Sequence, residues 1–199
     1  SDVYKRQTKF YEVDTGNILI DGKDINHYTL ETVRSKIGVI LQDVFLFADT
    51  IFNNITLYNK DITMENVENA AKELEIHDFI NSLPGGYSFN VSERGDTLSA
   101  GQKQLIAFLR VLVNNPDILI LDEATSSIDS YSEELIKNAT KKITKGKTSI
   151  IIAHRLSTIE SADKIIYMEN GKILESGNHK HLLSIPNGKF KKLYDCLLY

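Results

Sequence analysis

Four side chains with catalytic or metal-binding chemistry stand directly after three apolar runs of the sequence. They are Gln42 after residues 37–41, Asp122 and Glu123 after residues 118–121, and His154 after residues 149–153. Apolar runs without polar alternation predict buried strands of a parallel sheet. Ligands of open α/β sheets bind outside the carboxyl ends of the strands, so these side chains are predicted to line one site.

The adjacent carboxylates Asp122 and Glu123 have two interpretations. A core strand that runs into an acidic loop would place them there without any function. However, two carboxylates at the end of a buried strand are costly to desolvate unless a metal, water or hydrogen bonds compensate them. In ATPases of the phosphate-loop class, an Asp at this place holds Mg²⁺ and a neighbouring Glu acts on the attacking water.

The segment Leu-Ser-Ala-Gly-Gln at residues 98–102 also has two interpretations. Ser99 and Gln102 have the spacing of a capping box, which would begin a helix predicted over residues 102–113. The same small residues at a helix N-terminus leave N–H groups and the positive end of the dipole open to a phosphate. His154 is likewise either a structural residue or a donor to a terminal phosphate.

Helices are predicted where apolar residues recur at helical spacing, and their alternation with strands predicts an α/β fold with a mainly parallel sheet. A helical subdomain is predicted to be inserted into this core over residues 48–115, approximately. Ser130 and Glu133 predict a capping box for the last helix of the core. The predicted helices are residues 64–74, 102–113 and 132–143. Towards the carboxyl end, strands 164–169 and 172–176 are predicted to form a hairpin joined by Asn170-Gly171, and residues 180–199 are predicted to form a helical tail.

The composition is that of an ordinary globular chain of 199 residues, with 42% hydrophobic and 25% charged residues. The formal net charge of −4 argues against a nucleic-acid partner held by bulk electrostatics. Cys196 is the one cysteine, so no internal disulfide is possible and a reducing compartment is expected. No apolar run approaches the roughly 18 residues of a membrane span.

Taken in chain order, these residues resemble the nucleotide-binding domain of ABC transporters, from about Lys9 to the carboxyl end. In that resemblance, residues 98–102 are the family signature and residues 118–122 are the Walker B strand. It makes Gln42 the Q-loop glutamine, Glu123 the catalytic glutamate, His154 the switch histidine, and Ser127-Ile128-Asp129 the D-loop. Flanking residues are similar to the exporter-type branch, namely Phe10-Tyr11, Ile20-Asp21-Gly22, Leu46-Phe47 and Glu93-Arg94-Gly95.

The resemblance implies an ATP-hydrolysing domain of an exporter that uses ATP and Mg²⁺. It pairs head to tail with a second nucleotide-binding domain, whose ATP would be served by Ser99, Gly101 and Gln102. It is also fused to, or associated with, transmembrane domains at the cytoplasmic face of the plasma membrane. Asp122 would hold Mg²⁺ largely through water, Gln42 would contact the metal, and Asp129 would couple the two sites.

The sequence departs from the family pattern in small and large ways. Ala100 stands where the signature most often has Gly, and Ile128 where the D-loop usually has Leu. More important, no G-x-x-x-x-G-K-[ST] phosphate-binding loop is present; Gly146-Lys147-Thr148 imitates its end, but Lys141 occupies the first glycine position.

We therefore expect a partial domain over residues 8–199, preceded by a leader over residues 1–7 that is foreign to the family. Its ATP site would be incomplete in the chain alone, and an unpaired sheet edge would make the isolated chain poorly soluble. Two alternatives remain at this point: a soluble ABC-type ATPase without a transport role, and a non-catalytic interaction module.

Overall fold

The computed structural model describes residues 13, 15–92, 97–122, 129–153 and 156–197. The predicted site residues Glu123 and His154 lie outside these residues, as do the predicted leader over residues 1–7 and part of the predicted D-loop. The chain divides into two compact units, and the division falls between Ile151 and Ile152. The domain boundaries expected from the sequence stay predictions.

The first unit opens with elements that the sequence reasoning did not predict. A short antiparallel hairpin turns at Asp21 and Gly22, whose φ angles of 51° and 75° are the left-handed pair of a type I′ turn. Its strands are β1 (Leu19–Ile20) and β2 (Lys23–Asp24), and a 3-10 helix (Ile25–His27) and helix α1 (Leu30–Lys36) follow.

The main sheet contains the three strands that the apolar runs predict. They are β3 (Ile37–Ile40), β4 (Ile118–Asp122) and β5 (Thr148–Ile152), in the spatial order β3-β4-β5. The strands β3 and β4 are parallel, and their register places Ile40 opposite Leu121. The predicted α/β fold is confirmed.

Five helices of the first unit pack on one another and on this sheet. The largest cluster of buried side chains comes mainly from these helices and includes Ile51, Leu105, Ile106 and Leu109, with Ile40, Leu119 and Leu121 from the sheet. The helices are α2 (Ile51–Thr56), α3 (Met64–Glu73), α4 (His77–Ser82), α5 (Ala100–Asn114) and α6 (Ser130–Thr144). The helices predicted over 64–74, 102–113 and 132–143 are thus confirmed within one to two residues at each end.

Charged and polar groups close the amino-terminal edge of the main sheet, opposite to the predicted site. The ammonium of Lys36, just before β3, lies 2.7 Å from the carboxylate of Asp117, just before β4. The ammonium of Lys147, just before β5, donates to the side chain of Asn115 at 2.7 Å and to the carbonyl of Pro116 at 2.8 Å. These contacts tie the starts of the three strands together.

The second unit contains the predicted hairpin and a helical tail. Asn170 and Gly171 join its strands with φ angles of 52° and 75°, again a type I′ turn. Its elements are α7 (Leu156–Ser161), β6 (Ile165–Glu169), β7 (Lys172–Gly177), α8 (His179–Ser184) and α9 (Lys189–Leu197). None of the helices within the described ranges has the length and apolar character to cross a bilayer.

Two sequence predictions, on the burial of β5 and on the cap of α6, are wrong. The strand β5 is not buried, since Ile150 and Ile152 are 41% and 38% exposed. The cap of α6 is Asp129, whose carboxylate accepts from the backbone N–H of Ser132 at 2.9 Å, rather than a Ser130–Glu133 capping box. A carboxylate one residue earlier satisfies the same free N–H groups, and its charge also suits the positive end of the helix.

Candidate functional site

The predicted signature segment forms the amino-terminal end of α5. The hydroxyl oxygen of Ser99 accepts from the N–H of Gln102 at 3.2 Å, and the amide oxygen of Gln102 accepts from the N–H of Ser99 at 2.9 Å. This reciprocal pair is the capping box that the sequence predicts. Ser99 and Ala100 are exposed, Gln102 is half-buried and Gly101 is buried, so the motif presents a polar tip on a packed helix.

A small cavity joins α5 to the carboxyl end of β4. Gln104, which is 5% exposed, and Asp122 both line it, although they come from different elements. Its other lining residues are apolar or hydroxylated side chains of the sheet, α5 and α6, namely Ile40, Phe108, Leu121, Ile136, Thr140 and Ile151. Side chains of the predicted signature helix and of the predicted Walker B strand therefore line the same cavity.

Gln42 and Asp122 lie at the same edge of the sheet. Ile40 pairs with Leu121 in parallel register, so the carboxyl ends of β3 and β4 lie side by side. Asp122 is the last residue of β4, and Gln42 comes two residues after Ile40, the last residue of β3. Gln42 is exposed and Asp122 is half-buried. Their amide and carboxylate oxygens are hard ligands of the kind that Mg²⁺ takes. Among the described residues, however, no three His, Cys, Asp or Glu side chains gather closely enough to hold a metal by themselves.

Asp129 is exposed at the start of α6. Its pKa is lowered, chiefly because the backbone N–H of Ser132 donates to the carboxylate. This carboxylate is therefore fixed and charged at the beginning of a 15-residue helix. Glu123 and His154, the two predicted catalytic residues, lie outside the described residues.

The sequence reasoning missed a polar cluster that organises the chain after Gln42. The side chain of Asn54, fully buried in α2, accepts from the N–H of Phe47 at 2.8 Å and donates to the carbonyls of Phe47 and Thr50 at 3.0 Å each. Arg110 of α5 donates from its Nε to the backbone carbonyl of Asn54. The available signals were the two Asn residues within the short segment Ile51–Thr56 and an Arg in the apolar half of α5.

With this geometry in place, comparison with known proteins identifies the family. The family described as ABC transporter matches residues 1–126, which is more than half of the chain. The chain belongs to the ABC transporter family.

Relatives of this ABC transporter chain are considerably longer than the chain itself. A Bacillus subtilis (strain 168) protein, YgaD, whose name describes it as a multidrug export ATP-binding/permease protein, is 48% identical over 186 residues. The alignment covers 94% of this chain and 32% of that relative. A Staphylococcus aureus (strain NCTC 8325 / PS 47) protein of the same descriptive name gives the same values. The chain thus spans about a third of the length of the curated relatives that it matches.

A solved structure shares the fold of this ABC transporter chain. It is described as a bacterial Atm1-family ABC exporter with ATP bound, and its TM-score is 0.90 at 40% sequence identity. The match covers 99% of this chain and 35% of the exporter chain. The chain therefore has the α/β fold found in one part of an ABC exporter.

Proposed function

We propose that this chain is the ATP-binding domain of an ABC exporter and that the intact exporter hydrolyses ATP to move a compound across a membrane. The observation that carries the proposal is the likeness, over 99% of the chain, to an ABC exporter with ATP bound. The names of the curated relatives suggest drugs as the class of exported compound.

The signature residues would bind a nucleotide that belongs to a second nucleotide-binding domain. In a head-to-tail pair, Ser99, Gly101 and Gln102 would face the phosphates held by the partner domain. The amino-terminal end of α5 suits this role because it combines N–H groups with the positive end of a 15-residue helix dipole. Asp129 would couple the two sites across the interface.

Asp122 and Gln42 would hold Mg²⁺, with Asp122 acting largely through water. Their oxygen atoms stand at the ends of adjacent strands, which fits the ion. When bound, Mg²⁺ neutralises charge on the phosphates. Glu123, immediately after Asp122, would act on the attacking water, and His154 would contact the γ-phosphate.

The membrane portion of the exporter would come from transmembrane domains fused to this domain or associated with it. Relatives named ATP-binding/permease proteins support this arrangement, as does the third of their length that the chain spans. We place the domain at the cytoplasmic face of the plasma membrane. Because the 199 residues contain no G-x-x-x-x-G-K-[ST] sequence, we also propose that the purified chain alone does not hydrolyse ATP.

The decisive experiment compares Glu123→Gln with its matched control Glu134→Gln in the membrane protein that contains this chain. Glu134 is an exposed glutamate of α6, so its loss leaves the site intact. Loss of a group that acts on the attacking water is expected to reduce ATP hydrolysis at least about 100-fold. Binding of ATP, measured with a fluorescent analogue, should be retained in both variants.

Two results would contradict this proposal. Normal hydrolysis by Glu123→Gln would remove the role of Glu123. Hydrolysis above background by the purified 199-residue chain would show that its site is complete without a phosphate-binding loop in this sequence.

A further inference from the structure

The segment between β3 and α2 has a defined conformation although it contains neither helix nor strand. It begins at Gln42 and carries Phe45 and Phe47, which are 57% and 47% exposed and stack edge to face with ring centroids 5.1 Å apart. Two exposed aromatic rings do not fix a backbone by burial. Leu46 between them is fully buried and anchors the segment to the core. Hydrogen bonds with Asn54 and Arg110 add to this anchor on either side of Leu46.

Arg110 supplies one of these connections from outside the segment. Its Nε donates to the carbonyl of Asn54 at 2.8 Å, and one terminal nitrogen donates to the carbonyl of Phe45 at 3.4 Å. The planar guanidinium is suited to two acceptors at once, whereas a lysine ammonium lacks this fixed fork. Arg110 is half-buried, and burial lowers its pKa, so the two carbonyls offset part of the cost of desolvating its charge.

The carbonyl of Asn54 needs such a donor. It belongs to the last turn of α2, which ends at Thr56 and is followed by Leu57 and Tyr58 at φ angles of 50° and 61°. Carbonyls in the last turn of a helix have no partner within the helix, and a cation there is favoured by the dipole. Arg110 therefore caps α2 and holds Phe45 with one side chain.

Arg110 also belongs to the helix that starts with the signature. Ser99 caps the amino-terminal end of α5, and Arg110 lies three turns further along the same helix. Because a helix moves as a nearly rigid rod, a displacement of the signature is carried to Arg110 and from there to the backbone of Phe45. Phe45 is three residues after Gln42.

We propose that Arg110 is a positioning residue that couples the segment after Gln42 to the signature helix α5. Its role in ATP hydrolysis rests on the proposed function, whereas its effect on the conformation of residues 43–50 does not. It acts through the backbone carbonyls of Phe45 and Asn54, to which its guanidinium donates.

The first test measures hydrogen–deuterium exchange by mass spectrometry on the full 199-residue chain, with Arg110→Lys and the core variant Ile143→Val. Ile143 is buried in α6 and makes none of the hydrogen bonds described for Arg110, so Ile143→Val serves as a variant of lowered global stability. Arg110→Lys is expected to speed exchange about ten-fold in residues 44–59, which comprise the segment, α2 and its carboxyl-terminal turn. A ten-fold change corresponds to the loss of roughly one charged hydrogen bond, and exchange in β3 and β4 should stay unchanged.

The same experiment can overturn the proposal. If residues 44–59 exchange as in the wild type, or if Arg110→Lys and Ile143→Val speed exchange uniformly along the chain, Arg110 does not position the segment. An Arg110→Lys chain that fails to fold, judged by its far-UV circular dichroism, would make Arg110 a folding residue and would equally refute the proposal.

The second test uses the membrane protein that contains this chain and measures ATP hydrolysis against ATP concentration. Arg110→Lys should lower kcat several-fold and leave KM for ATP within about two-fold, since Arg110 lies three turns of α5 away from the signature residues proposed to bind nucleotide. Lys137→Gln, an exposed lysine of α6, is the control and should change neither value. A raised KM with normal kcat would contradict coupling. Absence of hydrolysis in the wild type would instead count against the proposed function, and the exchange result would still decide the conformational role.

Discussion

The neighbouring strands β4 and β5 have similar apolar sequences and very different surroundings. In β4, Leu119 is fully buried and Leu121 is 4% exposed, whereas Ile150 and Ile152 of β5 are 41% and 38% exposed. The strand β4 has β3 on one side and β5 on the other, while β5 lies at the end of the sheet within the described part of the chain. Exposed and half-buried residues alternate along β5, so one of its faces is exposed, whereas neighbouring residues of β4 are buried on both faces. Coverage of the two faces, rather than apolar composition alone, decides which strand belongs to the core.

The largest expected effect comes from truncating the buried strand. Leu119→Ala removes a side chain with no exposed surface and should lower the free energy of unfolding by about 2–5 kcal/mol. The same truncation in β5, Ile150→Ala, should cost less than about 1 kcal/mol because much of that side chain already contacts solvent. Urea denaturation of both variants measures the difference, and equal losses would mean that the two strands do not differ.

A smaller loss of stability is expected from a substitution in β3, the other neighbour of β4. A Cβ at Gly38 of β3 would lie 2.6 Å from Cγ of Pro116 and 3.2 Å from Cδ2 of Leu119. Gly38→Ala should therefore destabilise the chain by about 1–3 kcal/mol through overpacking. Adding Pro116→Ala removes the closest of these atoms, so the double variant should be less destabilised than the sum of the two single variants. Strict additivity would contradict a clash at this position.

The smallest effect concerns the ion pair at the amino-terminal ends of β3 and β4. Lys36 donates a hydrogen bond to Asp117 and lowers the pKa of that carboxyl below its usual 3.8. A lowered pKa in the folded state means that the unfolded chain binds more protons at acidic pH. The stabilisation is therefore present above the usual pKa and is lost as the pH falls through the lowered one.

Asp117→Asn tests this pH dependence. The variant should lose a small part of the stability near neutral pH, since the two side chains are 37% and 67% exposed, and its urea midpoint should fall less steeply than that of the wild type below about pH 4. The difference between the two chains should shrink at high salt. Parallel pH profiles would show that the pair does not contribute.

The sequence was informative wherever local chemistry decides the structure. The capping box of Ser99 and Gln102 and the Asn170-Gly171 turn depend on a few neighbouring residues and formed as predicted. The three apolar segments also formed strands, although β5 is not buried. The register of β3 and β4 then brought Gln42 and Asp122 to one edge of the sheet. For these residues, the sequence pattern was sufficient.

Features that depend on distant parts of the chain were not predictable in the same way. The exposure of β5 depends on what covers its faces, which its own residues do not determine. The connection of Arg110 to Phe45 joins residues 65 positions apart. The choice of Asp129 over Ser130 as the cap of α6 is a local competition between two good caps, which residue preference alone does not decide. The catalytic roles of Glu123 and His154 remain predictions.

The reciprocal hydrogen bonds of Ser99 and Gln102 have a consequence for how an anion would arrive at α5. The hydroxyl of Ser99 accepts with one lone pair and still has its own proton to donate. An incoming phosphate oxygen can take that proton while the lone pair stays bonded to the helix. Binding would then add an acceptor at a helix end whose own capping hydrogen bonds stay intact.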